Sequence, residues 1–196
     1  MRFKQYINES KEVPWEDIKR SCKPYLKEVY KAKNMLYRYI WKMDEFWIRK
    51  KVRTNRKPKD TPKVYHEFVD DMLKKRFGWK PRSEGLFVWG KAHGRNLGLG
   101  SIVFPIGKFK FVWNPEVLDL FNTINIDVVR GVSEEEIRRT LINLIPGYTN
   151  EGFMSALKQH NEIIIGCKEY YAVSVQVMRV NKDKVEEILG IPEGYY

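Results

Sequence analysis

The sequence predicts an α+β domain, helix-rich in its N-terminal third and built from strands with short helices between them thereafter. Three observations lead there. The 196 residues are 43% hydrophobic, 14% aromatic and 31% charged, which supplies a core and excludes wholesale disorder. Helical periodicity opens the chain, and short aromatic or β-branched runs bounded by turn residues follow. No βαβαβ rhythm, internal repeat or low-complexity linker interrupts this order.

Each element has its own signal. Trp15, Ile18, Cys22, Tyr25, Leu26 and Val29 recur at helical spacing over 15–30, behind Pro14. MLYRYIW, residues 35–41, reads as an aromatic strand. RKKVRTNRKPK, residues 49–59, holds seven cations and no acid. Asp60-Thr61-Pro62 then opens a helix that Thr61 caps. Tyr65, Phe68, Val69, Met72 and Leu73 line its core face, and Gly78 ends it. GLFVW, residues 85–89, reads as a buried strand.

The glycine-rich stretch 91–100 reads as a loop. It lacks both the Lys-Ser/Thr pair of a P-loop and the G-x-G-x-x-G spacing of a dinucleotide fold. SIVFP (101–105) and KFKFVW (108–113) read as strands. Asn114-Pro115 starts a short helix over Val117, Leu118 and Phe121. Ser133 and Glu136 form a capping box, and Pro146 stops the helix behind it. EIII (162–165) and YYAVSVQVMRV (170–180) read as strands. Asn181 caps a last helix, which Gly190 ends. Residues 1–34 form a helical N-terminal extension, and 35–196 the main domain.

Charge and composition narrow the function. No apolar run approaches the roughly 18 residues of a membrane helix. The N-terminus lacks the apolar region of a secretory signal. Cys22 and Cys167 are too few for a disulfide framework, and His66, His93 and His160 show no metal-ligand spacing. The expectation is a cytoplasmic protein with no metal site. Net charge is +11, unevenly placed: residues 1–82 carry 24 basic and 11 acidic residues, residues 83–196 carry 12 and 14. That asymmetry fits an anionic partner, or a solvated basic surface.

Three pieces suggest chemistry. Arg38 interrupts an aromatic strand, where burial demands an anionic partner. Arg82-Ser83 directly precedes GLFVW. His160-Asn161-Glu162 puts a carboxylate at the head of a β-branched strand. Together they resemble the arginine–serine–glutamate branch of the ADP-ribosyltransferase superfamily. Tyr37-Arg38 stands for its aromatic-Arg strand, the Ser83 region for its serine strand, and Glu162-Ile163-Ile164-Ile165 with Tyr171-Ala172-Val173 for its glutamate strand. The stretch from about 36 to 175 also looks like a group of bacteriophage proteins, through Arg53 to Pro62, Arg82 to Phe87 and Phe104 to Gly107. The opening MRFKQYINES is similar to phage-encoded chains. Departures are Tyr39 in place of the glycine after the arginine, a missing Ser-Thr-Ser triplet, and His160 two residues before the glutamate. Gly85 and Trp89 compete with Ser83 for the serine position.

The resemblance implies a split β-sandwich core and an NAD-dependent mono-ADP-ribosyltransferase acting in the host cytoplasm on a protein or nucleic acid. Glu162 would be catalytic, with His160 placing the acceptor. Arg38, Tyr37, Ser83, Arg82 and Phe87 would hold NAD. Arg49, Lys50, Lys51, Arg53 and Arg56 would contact nucleic acid or phosphate, with Trp41, Phe46 and Trp47 available for stacking. Simpler readings stand beside these. Arg38 pairs with an acid across the sheet, Ser83 bonds at a strand start, Glu162 and His160 lie exposed, and the basic run is solvated. The alternative functions are a non-catalytic basic nucleic-acid-binding protein and a phage structural protein with a transferase-like fold.

Overall fold

The structure, a computed structural model, describes residues 12–40, 46–57, 61–90 and 100–196. Its strands are β1 (Leu36–Tyr39), β2 (Trp47–Lys51), β3 (Leu86–Trp89), β4 (Gly100–Pro105), β5 (Lys110–Trp113), β6 (Glu162–Gly166) and β7 (Glu169–Ser174). They form one sheet in the order β2-β7-β4-β1-β3-β6-β5, antiparallel at every pairing. Among the described residues the helices are α1 (Trp15–Ser21), α2 (Lys23–Ala32), α3 (Lys63–Phe77), α4 (Pro81–Glu84), α5 (Leu120–Val129), α6 (Glu134–Leu144), α7 (Phe153–Leu157), α8 (Val175–Val180) and α9 (Lys182–Leu189). The expected α+β class is present.

The sheet has a waist. β1 pairs with β4 from Leu36↔Val103 to Tyr39↔Gly100, and β3 with β6 from Leu86↔Ile165 to Trp89↔Glu162. Between β1 and β3 the register holds one pair, Tyr37↔Trp89. Two blocks, β2-β7-β4-β1 and β3-β6-β5, therefore meet across a short seam.

Both faces of the sheet are covered. On one, Ile18, Tyr25, Val29, Val177 and Leu189 pack against Val88, Ile102, Ile163 and Ile165. On the other, Val69, Leu73, Leu120, Ile124 and Leu141 pack against Phe87, Val112 and Ile164. Successive side chains of a strand point to opposite faces, so burial on both sides explains the unbroken apolar run EIII. Helices α1 and α2 share the first core with the sheet.

Several elements differ from the sequence expectation. The 15–30 helix is broken at Cys22 into α1 and α2; Pro24, at the start of α2, has no N–H to continue the ladder. The basic run begins with strand β2, whose Arg49, Lys50 and Lys51 are exposed at a sheet edge, where cations discourage pairing with another chain. The 170–180 strand ends at Ser174, and Val175–Val180 is helical. Burial of Val175, Val177 and Met178 overrides the β preference of the valines.

The caps differ in part. Pro62 rather than Thr61 occupies the cap position of α3, with no side-chain cap bond. The helix expected from Asn114 begins only at Leu120, capped by Asp119, whose side chain accepts from the Phe121 N–H. Asn181 precedes α9, but its amide donates back to the Val177 carbonyl. The Ser133–Glu136 capping box is formed, and Gly78 and Gly190 end their helices at φ 76° and 65°. Residues 1–11, Trp41, residues 58–60 and glycine-rich residues 91–99 lie outside the described residues. Among the described residues no helix is long and apolar enough to cross a membrane.

Candidate functional site

Glu162 opens β6 opposite Trp89 of β3, which itself faces Tyr37 of β1. This cross-strand row lies at the waist. The Glu162 N–H donates to the Leu118 carbonyl at 2.8 Å. The neighbouring Asn161 amide donates to the carbonyls of Asn114, Pro115 and Val117 at 2.9, 2.9 and 3.1 Å. These bonds satisfy backbone acceptors that helix formation would otherwise take, which accounts for the late start of α5. They also hold 114–118 against the head of β6.

The Glu162 side chain is only 8% exposed. Burial pushes its carboxyl up to about 7, against the pull of Arg82 and Arg56, and the Asp119 charge adds to the rise. Its ion pair with Arg82, Nη1 to Oε1, is 3.3 Å long, loose for a charge-assisted bond. Buried Tyr148 lies within electrostatic reach, its phenol pushed up by burial and then by Glu162.

Arg82 is anchored from below. Its backbone N–H donates to Asp70 Oδ1 at 2.7 Å, joining α4 to α3. Among the described residues, Asp70 Oδ2 and Arg82 Nε are buried without a hydrogen-bond partner. His66, one helical turn before Asp70, places Nε2 3.0 Å from Ser83 Oγ and 3.7 Å from Asp70 Oδ2. Burial lowers the His66 pKa, favouring neutral imidazole. Serine and aspartate meet the same ring nitrogen. A hydrolytic Ser-His-Asp relay needs the acid on the other nitrogen, so this network fixes Ser83 and Arg82 rather than building a nucleophile.

Arginines converge above this base. The Arg56 guanidinium lies 4.2 Å from the centre of the Phe87 ring, and that of Arg82 lies 5.1 Å from it. Arg56 N–H also donates to the Ser83 carbonyl at 3.1 Å. From β1, Arg38 Nη1 donates to the Phe87 carbonyl at 2.7 Å. Burial first, then the charges of Arg38, Arg82 and Arg53, lowers the Arg56 pKa, and Glu162 opposes this. Three guanidinium groups, those of Arg38, Arg56 and Arg82, thus gather near two buried carboxylates, Glu162 and Asp70, with exposed Arg53 within electrostatic reach. Such an excess of like charge favours an anionic ligand.

The structure brings together Arg38, Arg82, Ser83, Phe87 and Glu162, and adds Arg56 from the basic run, with exposed Arg53 within electrostatic reach. Ser83 stands in helix α4, two residues before Gly85 and three before the strand. Gly85 has no room for a serine: a Cβ there would lie 2.3 Å from Ile164 Cγ2 and 2.4 Å from the Pro81 carbonyl oxygen. Tyr37 is buried, and its hydroxyl donates to the Tyr195 carbonyl at 3.5 Å. His160 is exposed on the bend before β6. Arg38 has no carboxylate within ion-pair distance among the described residues, so the cross-sheet acid pair is not found there. Buried Glu162 likewise departs from the exposed reading.

Arg49 lies elsewhere, its Nε donating to Glu169 Oε2 at 2.8 Å. Lys50 and Lys51 are exposed on the β2 edge. The sequence reading missed His66, Asp70, Asn161, Asp119 and Tyr148. The i,i+4 placement of His66 and Asp70 among the apolar positions of α3 was the available signal. No protein-family model, curated protein or solved structure matches this chain.

Proposed function

We propose that this chain is an NAD-dependent mono-ADP-ribosyltransferase with a macromolecular acceptor. The observation that carries the reading is the convergence of Arg38, Arg82, Phe87 and Glu162 on three neighbouring strands and the turn ahead of one of them. The waist at Tyr37↔Trp89 supports the split core that such a transferase would have.

The residues present fit a dinucleotide diphosphate. Arg82 and Arg56 act on the Glu162 carboxylate, Arg38 lies beside them on Phe87, and buried Arg82 Nε is an unused donor. Planar guanidinium forks match paired phosphate oxygens better than ammonium groups do. Buried Phe87 holds two of these guanidinium groups against its ring.

Transfer breaks the bond between ribose C1′ and the nicotinamide nitrogen. The bonding pair leaves with the ring, so nicotinamide departs neutral. Positive charge develops on the ribose until an acceptor lone pair attacks C1′ and the acceptor proton is lost to solvent or a nearby base. A fixed carboxylate stabilises that charge, as in glycoside chemistry. Glu162 supplies it in ionised form, held in place by Arg82 and by the Asn161-pinned segment. No acid is needed for the leaving group.

The test is incubation with labelled NAD and a cell lysate. Wild-type protein is expected to label protein, RNA or DNA, and Glu162→Gln to lose roughly 100- to 1000-fold of that rate. Near-wild-type labelling by Glu162→Gln would sink the assignment.

A further inference from the structure

A second basic site lies away from Glu162. Helices α1 and α2 enclose a groove of about 470 Å³ whose walls include Lys19, Arg20, Lys23 and Lys27, with Glu16 as the one acid. Its apolar lining comes from Leu26 and Tyr30, and Tyr30 is 42% exposed. Lys23 and Lys27 stand on successive turns of α2, about 6 Å apart along the axis. Among the described residues, Lys19, Lys23 and Lys27 have no carboxylate within ion-pair distance.

Asp17 extends this face toward the sheet edge. It pairs with Arg20 at 2.5 Å and approaches Arg49 Nη1 at 3.9 Å. It also accepts a hydrogen bond from the Tyr171 hydroxyl. Asp17 thus links Arg20 of α1 to Arg49 at the start of the basic run.

We propose that the α1–α2 groove binds a single strand of nucleic acid. Lysines on the walls follow its phosphates, and the exposed Tyr30 ring stacks an unpaired base. Cations beside an aromatic floor are the arrangement by which proteins hold single strands without reading their sequence. A duplex offers no unstacked base to that floor, and an acidic peptide would use the cations alone.

The test is fluorescence anisotropy with a labelled oligouridylate 12-mer over a range of salt concentrations. Wild-type binding is expected to weaken steeply with salt. Lys19→Gln/Lys23→Gln/Lys27→Gln, all at exposed positions, should flatten the log–log slope by about 2, at roughly 0.7 per lost phosphate contact. Tyr30→Leu should weaken binding by about 5-fold or more at fixed salt. Absence of binding at low salt, an unchanged slope in the triple variant, or equal competition by polyglutamate would each overturn the proposal. NAD cleavage without a nucleic-acid acceptor should be unchanged in the triple variant, so failure here and failure of the transferase reading are distinguishable.

Discussion

Arg38 on β1 donates from Nη1 to the carbonyl oxygen of Phe87 on β3, 2.7 Å away, beside the waist where these strands share one registered pair. The side chain proposed to hold NAD therefore also supports the seam of the sheet. Arg38→Ala should cost about 1–3 kcal/mol by leaving that carbonyl unpaired. Arg38→Lys should recover part of the stability but bind NAD more weakly, because an ammonium lacks the planar fork. Urea unfolding and calorimetric NAD titration separate the two effects. Wild-type stability of Arg38→Ala would remove the seam role.

The carboxylate proposed to stabilise the transfer, Glu162, makes stability depend on pH. Its folded pKa, about 7, stands above the ordinary 4.5. The native state therefore holds a proton that the unfolded chain releases, and stability from this group falls as pH rises from about 4.5 through 7. The ionised carboxylate costs on the order of 3 kcal/mol above that window. Glu162→Gln should gain relative to wild type by up to about that amount between pH 4.5 and 8, whatever its offset from the loss of Arg82's partner. Denaturant unfolding at both pH values reads this directly, and a pH-independent difference would contradict it. Over the same window, kcat/KM for NAD cleavage should rise with an apparent pKa near 7, since that ratio reports the free enzyme.

Asn161 should matter as much as its better-known neighbour. Its amide serves three carbonyls of 114–118, and that segment accepts the Glu162 N–H. Asn161→Ala should lower stability by about 1–3 kcal/mol through buried acceptors left unpaired. It should also reduce NAD cleavage by displacing Glu162. Thermal unfolding and turnover measured on one preparation check both, and an unchanged melting temperature would show that 114–118 is held by other contacts.

The α+β class, most strand cores and the helix ends set by local chemistry are legible in the sequence. Gly78, Gly190 and the Ser133–Glu136 box act within a few residues, so their signals are readable in one dimension. The sequence also singles out Arg38, Arg82 and Glu162, because an arginine inside an aromatic strand and a glutamate heading EIII stand out from their neighbours. Tertiary structure decided the rest. Val175–Val180 looks like strand, but its helix is selected by the core that receives Val177 and Met178. Arg49 and Arg56 belong to one basic run, yet Glu169 engages the first across the sheet while the second turns in against Phe87. The His66–Ser83 and Asp70–Arg82 contacts join residues 17 and 12 positions apart, and Arg82–Glu162 joins residues 80 apart. Such pairings depend on how α3, α4 and β6 pack against one another. Local periodicity carries no record of that packing, and the raised pKa of Glu162 follows from it through desolvation.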